Sequence, residues 1–86
     1  MKNGQITGVF LGCIDGYWCI ELRITFDGGG TVHTIPLYQP DKIVELFKML
    51  EVDNYDDIKG CYVRVKVGAT KTYGIGNIVK DKWIDW

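Results

Sequence analysis

Residues Trp18 to Phe26, WCIELRITF, alternate without a break. Trp18, Ile20, Leu22, Ile24 and Phe26 fall on one side, and Cys19, Glu21, Arg23 and Thr25 on the other. Alternation of this length specifies a half-buried antiparallel strand, because successive side chains of an extended chain point to opposite faces. The apolar wall it makes is about 30 Å long at ~3.4 Å per residue. The helical pattern that must cover it is much shorter. In QPDKIVELFKMLEV, Ile43, Leu46, Phe47 and Leu50 recur at i, i+3, i+4 and i+7, one face of a helix that is only about 16 Å long at ~1.5 Å per residue. One such helix leaves part of the wall bare. Either the sheet curls on itself into a partial barrel, which glycines in the first and last strands favour, or a second copy of the chain covers the remainder.

The other elements follow from local chemistry. QITGVFLGCI, residues 5–14, reads as a strand, and Asp15-Gly16 as a tight hairpin turn. Gly28 to Gly30 turn the chain again into TVHTIPLY, a strand that Pro36 places at an edge or ends, since proline has no amide to donate. Asp41, after Pro40, caps or charges the start of the helix, which stops near Val52. DNYDDIKG is a loop with a short helical turn, Asn54 capping it and Gly60 ending it. In CYVRVKV, Val63, Val65 and Val67 face inward and Arg64 and Lys66 outward. GATK is a turn, and TYGIGNIVKDKWI is a last strand with a kink or bulge near Gly74–Gly76. The expected architecture is a single α+β domain over residues 1–86, with a five-stranded, strongly curved antiparallel sheet in the order βββαββ and one helix packed on it.

Composition narrows the function classes. The formal net charge is −1, and nothing resembles the basic stripe of a duplex binder, so nucleic acid is not the expected partner. The chain contains no serine, which excludes serine-nucleophile hydrolysis. MKNGQITGVF turns polar within a few residues, so no secretory leader is expected, and no apolar run approaches the ~18 residues of a membrane span. Three cysteines without a leader read as reduced thiols in a cytoplasm.

Reactive constellations are weak. The triple glycine precedes a strand rather than a helix and lacks a following Lys-Ser/Thr, so it is a turn and not a phosphate loop. GIGN at Gly74–Asn77 sits within a strand. Cys13, Cys19, Cys61 and His33 have the right types for zinc but no Cys-x-x-Cys pair. Glu51, Asp53, Asp56 and Asp57 lack the spacing of a calcium loop. His33 shares a face with Thr31, Ile35 and Leu37, hence with part of the core. Neither a metal, a cofactor nor an enzymatic activity is expected. The aromatic residues are the informative group. Tyr62, Arg64 and Lys66 share the outward face of one strand, and Trp83 and Trp86 close the chain. Aromatic and cationic residues outside a core anchor protein contacts, so these five are the candidate partner-binding residues.

FLGCIDG, YDDIKGCYVRVKV and YGIGNIVKDKWI resemble small uncharacterised proteins of tailed phages and prophages. The shared pattern lies in Leu11-Gly12, Asp57-Ile58-Lys59-Gly60, Val63-Arg64-Val65, Ile75-Gly76-Asn77-Ile78 and Asp81-Lys82-Trp83. The chain departs from it where Tyr17 follows Asp15-Gly16 in place of a turn histidine, where Tyr55 replaces tryptophan, and in a shortened middle. The resemblance implies a phage accessory protein in the cytoplasm of the bacterial host, binding a host protein such as a defence component. The alternative is an oligomeric nucleotide binder with Gly28–Gly30 and Lys71 lining a pocket between subunits.

Overall fold

Asp15 and Gly16 both adopt positive φ, 52° and 83°, the conformation in which a two-residue loop matches the twist of the strands it joins. They connect β1 (Lys2–Ile14) to β2 (Tyr17–Phe26). A computed structural model of the chain describes residues 2–67 and 72–85. Gly28, at φ 85°, turns β2 into β3 (Gly29–Pro36), which lies at one edge of the sheet and stops at its proline. Helix α1 runs from Pro40 to Leu50 with proline in its first turn. Asp41 supplies charge there and not a cap, since Gln39 occupies the cap position. Glu51 ends the helix in the left-handed region at φ 58°, and a 3₁₀ turn, Tyr55–Asp57, leads to the fully buried Ile58.

The second half departs from expectation. After β4 (Tyr62–Val67), TYGIGNIVKDKWI forms two strands, β5 (Thr72–Asn77) and β6 (Trp83–Asp85). The sheet therefore has six antiparallel strands, not five, in the open order β3-β2-β1-β4-β5-β6. Asn77 makes the extra reversal. Its Oδ1 accepts the amides of Val79 and Lys80, both at 2.9 Å, and its own N–H donates to the Lys82 carbonyl at 2.9 Å. The irregularity expected near Gly74 falls just before it, where the β4–β5 register shifts beyond Lys66. The inward placement expected of Val67 and the GATK turn lie outside the described residues.

All six strands contribute to one core: Ile6, Leu22, Ile24, Ile35, Val63, Val65, Ile75 and Ile84 meet Leu46, Met49 and Leu50 of the helix. A flat sheet of six strands would be ~24 Å wide at ~4.8 Å per strand. Both β3 and β6 touch the helix. Coverage fails along the strands. Leu22 is fully buried, Phe26 is half-buried, and Trp18, on the same wall, is 62% exposed. Leu11, beside Ile20 on that face, is 55% exposed. The helix is too short to reach the hairpin tip.

Among the described residues two polar side chains, His33 and Asn77, are buried in this frame. Asn77, through Nδ2, donates to the Met49 carbonyl at 2.7 Å, tying the end of the helix to the β5–β6 turn. Its Nδ2 also reaches the Glu51 carboxylate at 3.3 Å, so Asn77→Ala removes four hydrogen bonds and chemical denaturation should show a loss of about 2–4 kcal/mol. His33 lies opposite Leu22 and is 7% exposed; burial holds its imidazole below the ordinary histidine value. The unfolded chain then binds a proton that the folded chain refuses, so stability falls as pH drops below the ordinary value. The slope is no steeper than about 1.4 kcal/mol per pH unit for one proton. Thermal melts at about pH 7.5 and about pH 5.5 should reveal this loss, and His33→Gln should flatten it.

Candidate functional site

Alternation along β4 puts Val63 and Val65 in the core and turns Tyr62, Arg64 and Lys66 to the outer face. The register carries that face across the sheet: Arg64 lies opposite Gly76, and Gly76 opposite Trp83. Because Gly76 has no side chain, the indole lies directly on its backbone. A Cβ there would stand 2.6 Å from the ring. The ring is met by the Arg64 guanidinium, 4.7 Å from its centroid, and the Lys66 ammonium, 4.4 Å away. Trp83 Nε1 donates to Asp81 at 2.9 Å. Arg64 is also an anchor, donating from Nε to the Asn77 carbonyl and from Nη2 to the Lys80 carbonyl, both at 2.7 Å.

Four of the five expected contact residues thus share one face, and three of them form a stack. Tyr62 is 62% exposed and borders an open hollow with Gln5, Thr7, Phe26 and Asp27. Trp86 lies outside the described residues. Trp83 also lines a groove with Glu45, Lys48 and Met49 of the helix and with Lys82. Glu51 sits nearby, 2.7 Å from the Lys80 ammonium, whose hydrogen bond holds its carboxyl below the ordinary glutamate value. Two cations therefore meet the indole ring while a carboxylate takes its N–H, an arrangement that fixes the ring on the sheet.

The thiols are dispersed. Cys13 pairs with Trp18 while Cys19 pairs with Gly12, so the two project from opposite faces of the hairpin rather than approaching each other. Cys61 donates its thiol to the Asp57 carbonyl at 3.2 Å, and burial pushes its pKa up. Among the described residues no three His, Cys, Asp or Glu side chains gather as a metal site would need. Gly28 forms a turn and Gly29 and Gly30 enter β3; Lys71 lies outside the described residues.

A second surface escaped the sequence reading. Around the hairpin tip, Phe10, Leu11, Tyr17, Trp18 and Tyr38 are each at least half exposed. Tyr17 and Tyr38 pack edge to face with centroids 5.5 Å apart. The available signal was GVFLGCI, in which apolar residues occupy both alternating positions with no charge among them. Comparison with protein-family models, curated proteins and solved structures finds no match.

Gly76→Ala should displace the Trp83 ring and cost about 1–3 kcal/mol in denaturant unfolding, as overpacking does. A variant as stable as the parent would show that the ring does not rest on this glycine.

Proposed function

We propose that the chain is a phage or prophage accessory protein that binds rather than catalyses. Its partner is a host protein, with components of host defence as the class to test first, and it acts in the cytoplasm of the bacterial host. The observation that carries this reading is the indole of Trp83, seated on Gly76 and met by both Arg64 and Lys66, on a sheet face that also presents the exposed Tyr62. A contact surface fixed before binding loses little side-chain freedom on association. The surrounding lysines and arginine suit a partner segment of acidic or aromatic character. The phage-protein resemblance supports the setting, and no helix among the described residues is long and apolar enough to cross a membrane.

The test is retention of host proteins on the immobilised chain. Tyr62→Ala, at an exposed position, should leave circular dichroism unchanged and weaken the captured host protein about tenfold, as loss of ~1–2 kcal/mol at an interface anchor does. Lys66→Glu should weaken it further. A retained set that neither substitution alters would defeat this surface.

A further inference from the structure

From Gly8 to Ile14, β1 pairs with β2 on one side only. Its ladder to β4 spans Lys2–Gln5, and its bonds on that side end with those joining Ile6 to Gly60 and Cys61. Among the described residues no strand lies beside Gly8–Ile14, so alternate N–H and C=O groups along this edge face outward. Exposed edges in natural proteins are guarded by charge, proline or brevity. This one has none of these: GVFLGCI carries seven residues, no charge and no proline. β6 is three residues long, and β3 ends in a proline and exposes one large apolar residue, Val32, among threonines.

We propose that two copies of the chain pair through this edge. Their β1 strands run antiparallel about a two-fold axis beside Leu11, joining two six-stranded sheets into one. The occupant is a second copy for two reasons. Antiparallel self-pairing centred on Leu11 uses the whole free segment, and it matches shapes. Phe10 then faces Gly12 of the second copy, beside which the space is open, while Ile14 faces its Gly8 and meets the Phe10 ring that lies beside that glycine. On the helix-bearing face the two Leu11 side chains meet, with the two Trp18 rings flanking them. The area also fits. Phe10, Leu11, Ile14, Tyr17 and Trp18 are 40–62% exposed and leave about 500 Å² of apolar surface at ~150–250 Å² per large side chain. With the main-chain ladder added, the patch approaches the ~600–800 Å² that each partner buries in a modest stable interface. The same contact covers the part of the wall that the helix leaves bare.

Sedimentation velocity of the intact chain across a concentration series tests this. The expected result is a dimer of the 9.8 kDa chain. Leu11→Lys should convert it to a monomer with unchanged circular dichroism, and Val32→Lys on the β3 edge should leave it dimeric. Amide hydrogen exchange of the unsubstituted protein gives a readout independent of how any variant folds: amides along Val9–Cys13 should be protected at high concentration and exchange faster on dilution. A chain that stays monomeric at its solubility limit overturns the proposal. So does a dimer dissolved by Val32→Lys and not by Leu11→Lys, or one whose Val9–Cys13 amides exchange freely. The host-protein reading is separate, since Tyr62 and Trp83 lie on the outer face of β4 to β6, away from every substitution used here.

Discussion

The helix has eleven residues and the wall beneath it is nearly twice as long, and most of the structure follows from that mismatch. Burial of apolar surface is the main favourable term in folding, worth ~1.5–3 kcal/mol for each large side chain fully removed from water. The chain collects it from Ile6, Leu22, Ile24, Ile35, Val63, Val65, Ile75 and Ile84, all at most 1% exposed. The helix touches both edge strands, which answers the sheet's width. Nothing answers its length. Beyond Ile20 the wall continues as Leu11 and Trp18 with no second layer. A small domain already buries a lower fraction of its surface than a large one, so leaving a tryptophan and a leucine in water is a substantial loss.

The half that is fully covered is secured by polar bonds made in one place. Asn77 bonds the helix end through its amide nitrogen, the following turn through its amide oxygen, and Arg64 through its backbone carbonyl. Arg64 reaches on to the Lys80 carbonyl, and its guanidinium covers Trp83. The core, the β5–β6 turn and the outer-face stack therefore form one mechanical unit. Moving the indole means moving the turn, and moving the turn breaks a buried bond to the helix. The rigidity of this face comes from the bonds that close the core on the opposite side.

What the sequence made legible was whatever has a period or a strict backbone requirement. Alternation identified β2, β4 and the inward side of His33; Asp15-Gly16 and the glycines after Asp27 marked turns; i, i+3, i+4 spacing found the helix; Pro36 ended its strand. The sixth strand was hidden because in NIVKDKWI the residues Ile78, Val79 and Lys80 form a turn, where apolar residues imitate a strand and only Asn77's side chain reveals the reversal. Met49 escaped the helical stripe because the sheet covers more than one narrow face of the helix. At the candidate surface, alternation correctly turned Tyr62, Arg64 and Lys66 outward. It could not show that Arg64 is spent largely on carbonyls, since that depends on the turn that ends the neighbouring strand, thirteen residues away in sequence. The hairpin tip was missed for a related reason: β-formers on both alternating positions read as a well-buried strand until the depth of cover is known.

The position of the bare edge relative to the proposed contact face matters for what a dimer could do. Tyr62 lies opposite Gln5, and Leu11 is six residues further along β1, about 20 Å at ~3.4 Å per residue. Pairing at Leu11 would leave both contact faces free and set them on the two arms of one continuous sheet. A partner with repeated subunits could then be held at two points, the second engagement occurring at the high effective concentration that the first creates. Rigid sheet rather than flexible linker would fix the spacing, so binding would be strong for a target whose own repeat matches it and ordinary for one whose repeat does not. Selectivity of that kind needs no additional contact, only that the strand too long for its helix be completed by its twin.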